Sequence, residues 1–208
     1  MELQFHGANC VTITTKNARI TIDDNLADLG GKSVAKAGDI ALFTGAHGAP
    51  AQEPKITIDQ PGEYEVSGVS IYGIPARAHI DEEGGNTATI YKLIAEDMKI
   101  LIVGHIYPEL NEKQLEAIGM VHAMVVPVGG HGYTLDGTGA LALIKKIEPK
   151  VIIPTHYDDP TLTFPVPQAS LDDALKNLAM ETTQTTTKLK LKLAELGETT
   201  QLIVVERS

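Results

Sequence analysis

Three short apolar runs, at residues 100–103, 124–128 and 151–154, most strongly constrain how this chain can fold. Uninterrupted apolar runs of this length are typical of β-strands that are buried on both faces. Amphipathic helical patterns at residues 111–119 and 140–147 separate the three runs, and Asn111 with Gln114 is predicted to form a capping box at the start of the first. The second half of the chain is therefore predicted to alternate strand and helix.

The first half of the chain is predicted to be a β-meander. Residues 11–14 and 19–23 flank Lys16 and Asn17, a pair that favours a hairpin turn. A third helix is expected after Ser170, and strands at residues 188–193 and 201–206 close the chain. Without a break in composition, we expect a single α/β domain over residues 1–208, with one large mixed sheet or two packed sheets. Further strands are predicted at residues 40–43, 55–58, 62–66, 69–72 and 89–93.

Composition narrows the possible partners and compartment. The formal net charge is −10, which disfavours binding to the nucleic-acid backbone. Cys10 is the one cysteine, so a fold stapled by internal disulfides is excluded. Neither a membrane-spanning apolar run nor a signal-peptide pattern is found. We expect a cytoplasmic protein that acts on a small molecule, without nucleic-acid or membrane partners, and homo-oligomerisation stays open.

Histidines are the most informative residues of the chain. Five of the seven histidines come just after a predicted strand, where α/β folds collect their ligands. A single histidine in such a place is usually a polar loop residue, but five could converge on one pocket. Neutral imidazole is the commonest metal ligand and suits Zn, Mn, Fe or Ni. These five are His47, His79, His105, His131 and His156.

Sequence motifs along nearly the whole chain resemble the metallo-β-lactamase superfamily. Residues 61–66 read PGEYEV and are followed by GIP at 73–75, and residues 127–130 read PVGG. Residues 147–157 read IEPKVIIPTHY, close to the family's IEPKVVIPMHY. The resemblance is greatest to a branch of small prokaryotic zinc-dependent hydrolases related to ascorbate-phosphate lactonase. It implies a four-layer αββα sandwich with metals at one edge of the two central sheets.

The departures from the family pattern fall on the metal ligands. The family's HxHxDH loop is reduced here to His47, with Gly45, Ala49 and Pro50 at the other ligand positions. His105 stands where the family has an aspartate that bridges two metals. A carboxylate can hold two cations at once, whereas a neutral imidazole offers one lone pair to one cation. The resemblance therefore implies at most one metal ion here.

The remaining residues imply a reduced site. Its metal ligands are predicted to be His47, His79, His105 and His156, holding one zinc or in its place Mn, Fe or Ni. The aspartate of the HxHxDH loop, which orients the attacking water in the family, is missing. Asp23, Asp24 or Asp39 would have to replace it, and Asp23 and Asp39 are the predicted catalytic residues. Arg77 and Tyr157 are assigned to substrate binding, and an arginine at position 77 could pair with an anionic group.

Three functions are compatible with this set of residues. The first is a single-metal hydrolase of a small ester, lactone, amide or phosphoester. The second is a non-catalytic protein of the same fold that binds a ligand or partner in the pocket that corresponds to the family's metal site. The third is a metal-storage or metal-sensing protein. Fold alone does not decide among them.

Overall fold

The computed structural model describes all residues, 1–208, and arranges fourteen strands in two sheets. The six-stranded sheet has the order β13-β1-β2-β3-β4-β5, and the eight-stranded sheet has the order β12-β14-β11-β10-β9-β8-β7-β6. Of the two architectures predicted for the sheets, the chain adopts two packed sheets. The strands are β1 Glu2–Gly7, β2 Cys10–Thr14, β3 Arg19–Ile22, β4 Ile40–Leu42, β5 Ile56–Ile58, β6 Gly62–Val66, β7 Val69–Ala76, β8 Ala88–Ala95, β9 Met98–Ile102, β10 Ala123–Pro127, β11 Val151–Thr155, β12 Thr182–Thr186, β13 Leu189–Lys190 and β14 Gln201–Val205.

Alternation of side chains along the buried strands builds two cores. On β10, Val125 points into the cluster between the two sheets, and Met124 points into the cluster beneath the helices. On β11, Ile153 and Ile152 divide in the same way. Successive residues of a strand face opposite sides of the sheet, so a strand covered on both sides must be apolar throughout. This explains why the apolar runs are uninterrupted.

Three helices cover the outer face of the eight-stranded sheet. They are α1 Glu112–Ile118, α2 Gly137–Ile147 and α3 Leu171–Leu178. Asn111 and Gln114 form the predicted capping box of α1, and Ser170 caps α3 by accepting a hydrogen bond from the backbone N–H of Asp173. α2 begins three residues before the predicted stripe, because Asp136 caps it.

The other outer layer contains no α-helix. Near β2, the six-stranded sheet is covered by a short 3₁₀ helix, Leu26–Leu29, and by Leu162, which form a small cluster with Cys10. The α/β sandwich is confirmed, and its helices lie on one side. No helix of the structure has both the length and the apolar character needed to span a membrane.

Two parts of the tail differ from prediction. The predicted strand at residues 188–193 is only the two-residue β13, and a 3₁₀ turn follows at Leu193–Glu195. The threonine-rich segment Thr182–Thr186, not predicted as a strand, pairs in parallel with β14 as an edge strand. Threonine is β-branched and favours strands. Because this edge strand is exposed, its residues do not alternate between apolar and polar, so the sequence pattern did not indicate a strand.

Strand direction defines one functional edge. β9, β10 and β11 are parallel neighbours in the larger sheet, and β3, β4 and β5 are parallel neighbours in the smaller one. In α/β folds, ligands bind beyond the carboxyl ends of parallel strands. The loops that follow these six strands are therefore where we look for a functional site.

Candidate functional site

A cavity of about 890 Å³ opens between the carboxyl ends of the strands of both sheets. Its volume lies in the range of small-molecule sites. The smaller sheet contributes the residues after β3 and β4, and the larger sheet contributes those after β9 and β11. Polar side chains of the lining include Asn9, Asp23, Thr44, His47, His105 and His156.

Sharp turns of the backbone place the deepest of these side chains. Asp23 follows β3 with φ 48°, and His156 follows β11 with φ 55°. Non-glycine residues seldom occupy this left-handed region, and such residues cluster at functional sites. Before His105, Gly104 has φ 67°, and a Cβ there would lie 2.5 Å from the Thr44 side chain. Glycine is thus required where β9 ends against the loop that follows β4.

Asp23 is the centre of a buried hydrogen-bond network. Its Oδ1 accepts from the backbone N–H of Thr44 at 2.7 Å, and its Oδ2 accepts from Thr44 Oγ1 and from Asn9 Nδ2, each at 2.6 Å. The amide oxygen of Asn9 in turn accepts from Thr155 Oγ1 at 2.7 Å. Burial raises the pKa of Asp23, and the hydrogen bonds from Thr44 and Asn9 oppose that rise. The predicted catalytic residue is placed in the cavity wall with both carboxylate oxygens engaged by the loops of the smaller sheet, and the bond from Thr155 to Asn9 links this network to the larger sheet.

His105 and His156 are adjacent. Their ring centroids are 4.5 Å apart and their planes meet edge to face. Burial lowers the pKa of His156 to about 4, and burial together with the neighbouring His156 and His79 lowers the pKa of His105 well below its ordinary range. Both rings are therefore neutral at pH 7.

Gln168 fixes the tautomer of His156. Its Nε2 donates to the carbonyl of Val166 at 3.0 Å, so its Oε1 must be the atom that faces His156 Nδ1 at 3.1 Å. Because Oε1 can only accept, Nδ1 carries the proton and Nε2 carries the lone pair. Nε2 makes no hydrogen bond within the protein, and the ring, which is 3% exposed, lines the cavity.

His47 lies at the cavity mouth with both ring nitrogens engaged. Its ring stacks on Phe43 with centroids 3.7 Å apart. Its Nδ1 lies 2.6 Å from the carbonyl of Gly48, and its Nε2 lies 3.2 Å from Asp59 Oδ2. The carbonyl of Gly48 can only accept, so Nδ1 donates to it, and Nε2 faces the carboxylate of Asp59. The predicted ligand is placed at the cavity with both ring nitrogens next to oxygen atoms of the protein.

The four other predicted residues lie outside the cavity lining. His79 donates its backbone N–H to the carbonyl of His105, and its Nδ1 is buried without a partner. Asp39 precedes β4, at the opposite end of that strand, and pairs with Arg19. Arg77 packs over the Tyr107 ring at 4.1 Å and donates to the carbonyl of Asp81.

Tyr157 packs against Phe5 with ring centroids 5.5 Å apart. Burial raises the pKa of its hydroxyl to about 12. The structure therefore brings together Asp23, His47, His105 and His156, and it does not bring Asp39, Arg77 or Tyr157 to them.

Several site residues were missed by sequence reasoning. Asn9, Thr44 and Gln168 position the cavity wall, and Tyr133 and Phe164 line it beside the two histidines. Isolated polar or aromatic residues in loops carry no periodic signal, so only the fold could show that they meet. Gly129 of the PVGG motif has a specific structural role, because a Cβ there would lie 2.1 Å from Gln168 Oε1 and from the carbonyl oxygen of His156.

The donor set does not fit the metal centre that the resemblance implies. No three His, Cys, Asp or Glu side chains lie close enough together to hold one ion. His105 and His156 adjoin, but the nitrogens of His47 and the oxygens of Asp23 are already engaged. A paired centre needs a bridging carboxylate, and His105 occupies that place in the sequence. No step of the chemistry is therefore assigned to a metal.

Acidification should destabilise the protein through His156. Its pKa falls from 6.5 to about 4 on folding, so the unfolded chain binds more protons between these values. This contribution to the free energy of unfolding is fully present above pH 6.5 and is lost as the pH falls toward 4. It amounts to roughly 3 kcal/mol. Urea titrations in EDTA should show a weaker loss in His156→Gln than in the wild type, and equal losses would contradict the expectation.

Comparisons with known proteins agree with this architecture. Residues 2–156 match a family described as the β-lactamase superfamily domain. A 49-residue stretch is 43% identical to a metal-dependent hydrolase of Thermoplasma acidophilum, and it covers 22% of this chain and 21% of that relative. The match thus spans about a fifth of the relative's length.

Solved structures extend the likeness to the whole chain. A predicted zinc-dependent hydrolase of the metallo-β-lactamase superfamily from Thermotoga maritima has a TM-score of 0.76 and 24% identity, with 100% of this chain and 99% of that chain covered. A metallo-hydrolase from Ignicoccus hospitalis has a TM-score of 0.60 and 17% identity, with 92% and 99% covered. At these identities, the two structures show a shared fold.

Proposed function

The chain belongs to the β-lactamase superfamily domain family, and from that premise we propose that it hydrolyses a small ester, lactone, amide or phosphoester in the cavity between its sheets. Relatives with this fold are named as metal-dependent hydrolases. We further propose that the site is reduced and holds at most one metal ion, because the donor set does not fit a paired centre.

The observation that carries the proposal is the state of His156. A neutral ring whose Nε2 has a lone pair and no partner lines a cavity of molecular size. Gln168 holds that ring in one tautomer, and His105 packs edge-on against it. Such a nitrogen accepts a hydrogen bond from a water molecule and holds it beside a bound substrate.

For an ester, the proposed reaction proceeds by addition of that water. The water oxygen bonds to the acyl carbon and loses a proton to His156 Nε2 as the bond forms. The acyl C–O bond to the leaving alcohol then breaks, and the proton passes from His156 to the departing oxygen. The products are the carboxylic acid and the alcohol, so atoms and charge balance. Asn9, Asp23 and Thr44 hold the neighbouring part of the cavity wall in place through their buried hydrogen bonds, and the backbone N–H of His156 donates to the carbonyl of Ala8 in the same wall.

Metal content and turnover together test the proposal. Protein purified without added metal should carry no more than one equivalent by elemental analysis, and it should hydrolyse members of a panel of small esters, lactones, amides and phosphoesters. Two equivalents of metal per chain would contradict the reduced site. Absence of turnover across the panel, with and without added Zn²⁺ or Mn²⁺, would contradict the hydrolase.

A non-catalytic binding module is the second candidate. One observation favours it: no three His, Cys, Asp or Glu side chains lie close enough together to hold one metal ion. It would bind a small molecule saturably in the same cavity without converting it, so the panel and a binding titration separate the two functions.

A further inference from the structure

The cavity has an acidic lining without lysine or arginine. Asp23, Asp28 and Asp59 line it, and no lysine or arginine does. The lining histidine His47 lies against one of these carboxylates, with Nε2 3.2 Å from Asp59 Oδ2. In the metal-free cavity, the carboxylates stay in excess even if His47 is protonated. An anionic group would enter this cavity against repulsion, and a cation would be attracted.

The carboxylate of Asp28 is available to a ligand. It lies in the Leu26–Leu29 turn, and none of the ion pairs of the protein includes it. A Cβ built on Gly48 would lie 3.9 Å from Asp28 Oδ2, which places this carboxylate next to the loop after β4. Asp59, on the loop after β5, is part-exposed and has His47 as its partner.

Aromatic rings flank the two histidines of the same cavity. The Tyr133 ring lies 5.2 Å from the His105 ring, and the Phe164 ring lies 5.3 Å from the His156 ring. Both aromatic side chains line the cavity. Ammonium groups are attracted to aromatic faces as well as to carboxylates, and quaternary ammonium ligands are bound in this way.

The buried His156 gives an independent indication of a ligand. Its ring is 3% exposed, and its Nε2 has a lone pair but no hydrogen-bond donor within the protein. This nitrogen is not one of the buried polar atoms without a partner, so it opens into the cavity, where a ligand or water can donate to it. The cavity therefore combines a reacting end at His105 and His156 with an acidic and aromatic surround.

We propose that the substrate is a cationic molecule, an ester or amide whose non-reacting part bears an ammonium group, and that phosphoesters are excluded. This inference rests on the proposed hydrolase and narrows its substrate class. The acyl carbon would lie at His156, with the ammonium group among Asp28, Asp59 and the aromatic rings. Hydrolysis of such an ester yields a carboxylic acid and an amino alcohol, with water as the one co-reactant.

A matched pair of esters tests the role of the charge. Acetylcholine and 3,3-dimethylbutyl acetate have nearly the same shape and differ by the positive nitrogen. We expect kcat/KM to be about tenfold higher for acetylcholine, and p-nitrophenyl phosphate to stay uncleaved. The preference should shrink toward one in the double variant Asp28→Asn, Asp59→Asn. Asp97→Asn, at the β8–β9 turn on the opposite edge of the sheet, makes a charge change of the same kind and should keep the preference.

A binding titration separates this inference from the proposed hydrolase. Calorimetry with choline should show saturable binding that the double variant loses, and calorimetry with inorganic phosphate should show none. Choline binding without turnover of either ester or of any member of the substrate panel would uphold the cationic ligand and refute the hydrolase. Equal cleavage of both esters, or binding of phosphate in place of choline, would overturn the cationic substrate and leave the hydrolase standing.

Discussion

Replacement of His156 by glutamine is expected to lower kcat/KM for a hydrolysed substrate by at least about 100-fold, the lower range for removal of a general base. Glutamine occupies a similar volume and can still hydrogen-bond to Gln168. It cannot take a proton from water at neutral pH, so the loss follows from chemistry rather than packing. The measurement is initial-rate kinetics on the best substrate of the ester panel.

Two comparisons make the His156 result interpretable. His131→Asn changes an exposed histidine that has φ 55° and does not line the cavity, and this variant should retain wild-type kinetics. Far-ultraviolet circular dichroism and a melting curve should show that His156→Gln is folded. A folded His156→Gln protein with wild-type kcat/KM would remove His156 from the reaction.

Replacement of Gly129 by alanine is expected to destabilise the fold by about 3 kcal/mol, the upper range for overpacking. The added Cβ would lie 2.1 Å from the His156 carbonyl oxygen, which belongs to the backbone and cannot rotate away. The same Cβ would also displace Gln168 Oε1 from its place beside His156 Nδ1. Thermal unfolding should show a fall in Tm of about 10 °C for a chain of this size.

Gly45→Ala is the matched control for Gly129→Ala. Gly45 lies in the same region, has no positive φ, and a Cβ there would meet nothing within 4 Å. Its free energy of unfolding should not fall. If the two variants unfold at the same temperature, the close approach at Gly129 does not constrain the fold.

The sequence predicted secondary structure best where it depends only on residues that are close together in the chain. The capping box of α1 depends on Asn111 and Gln114, three residues apart, and both side chains make the expected bonds. At the β6–β7 hairpin, Ser67 and Gly68 both have positive φ, as that tight turn demands. β12 was missed because its threonines are exposed on an edge, where no alternation is imposed.

The candidate site could be predicted only in part, because it is built from contacts between distant residues. The rule that ligands gather beyond strand ends brought out His105 and His156, which follow parallel strands of one sheet. The position of a residue after a strand does not determine which way its side chain faces. His79 satisfies the same rule, but it lies outside the cavity lining. His47 has two partners, the carboxylate of Asp59 and the carbonyl of Gly48. Residue spacing in the sequence could not predict either contact.

By itself, the sequence determined the α/β class and the family resemblance, and it predicts a site that is reduced to at most one metal ion. Apolar periodicity and short motifs are local properties of the chain, so they can be recognised from the sequence alone. Only the tertiary structure decided that Asp23 is committed to a hydrogen-bond network, that Gln168 sets the tautomer of His156, and that no lysine or arginine lines the cavity. Each of these depends on residues that are far apart in sequence, and folding alone brings them within hydrogen-bonding or electrostatic range.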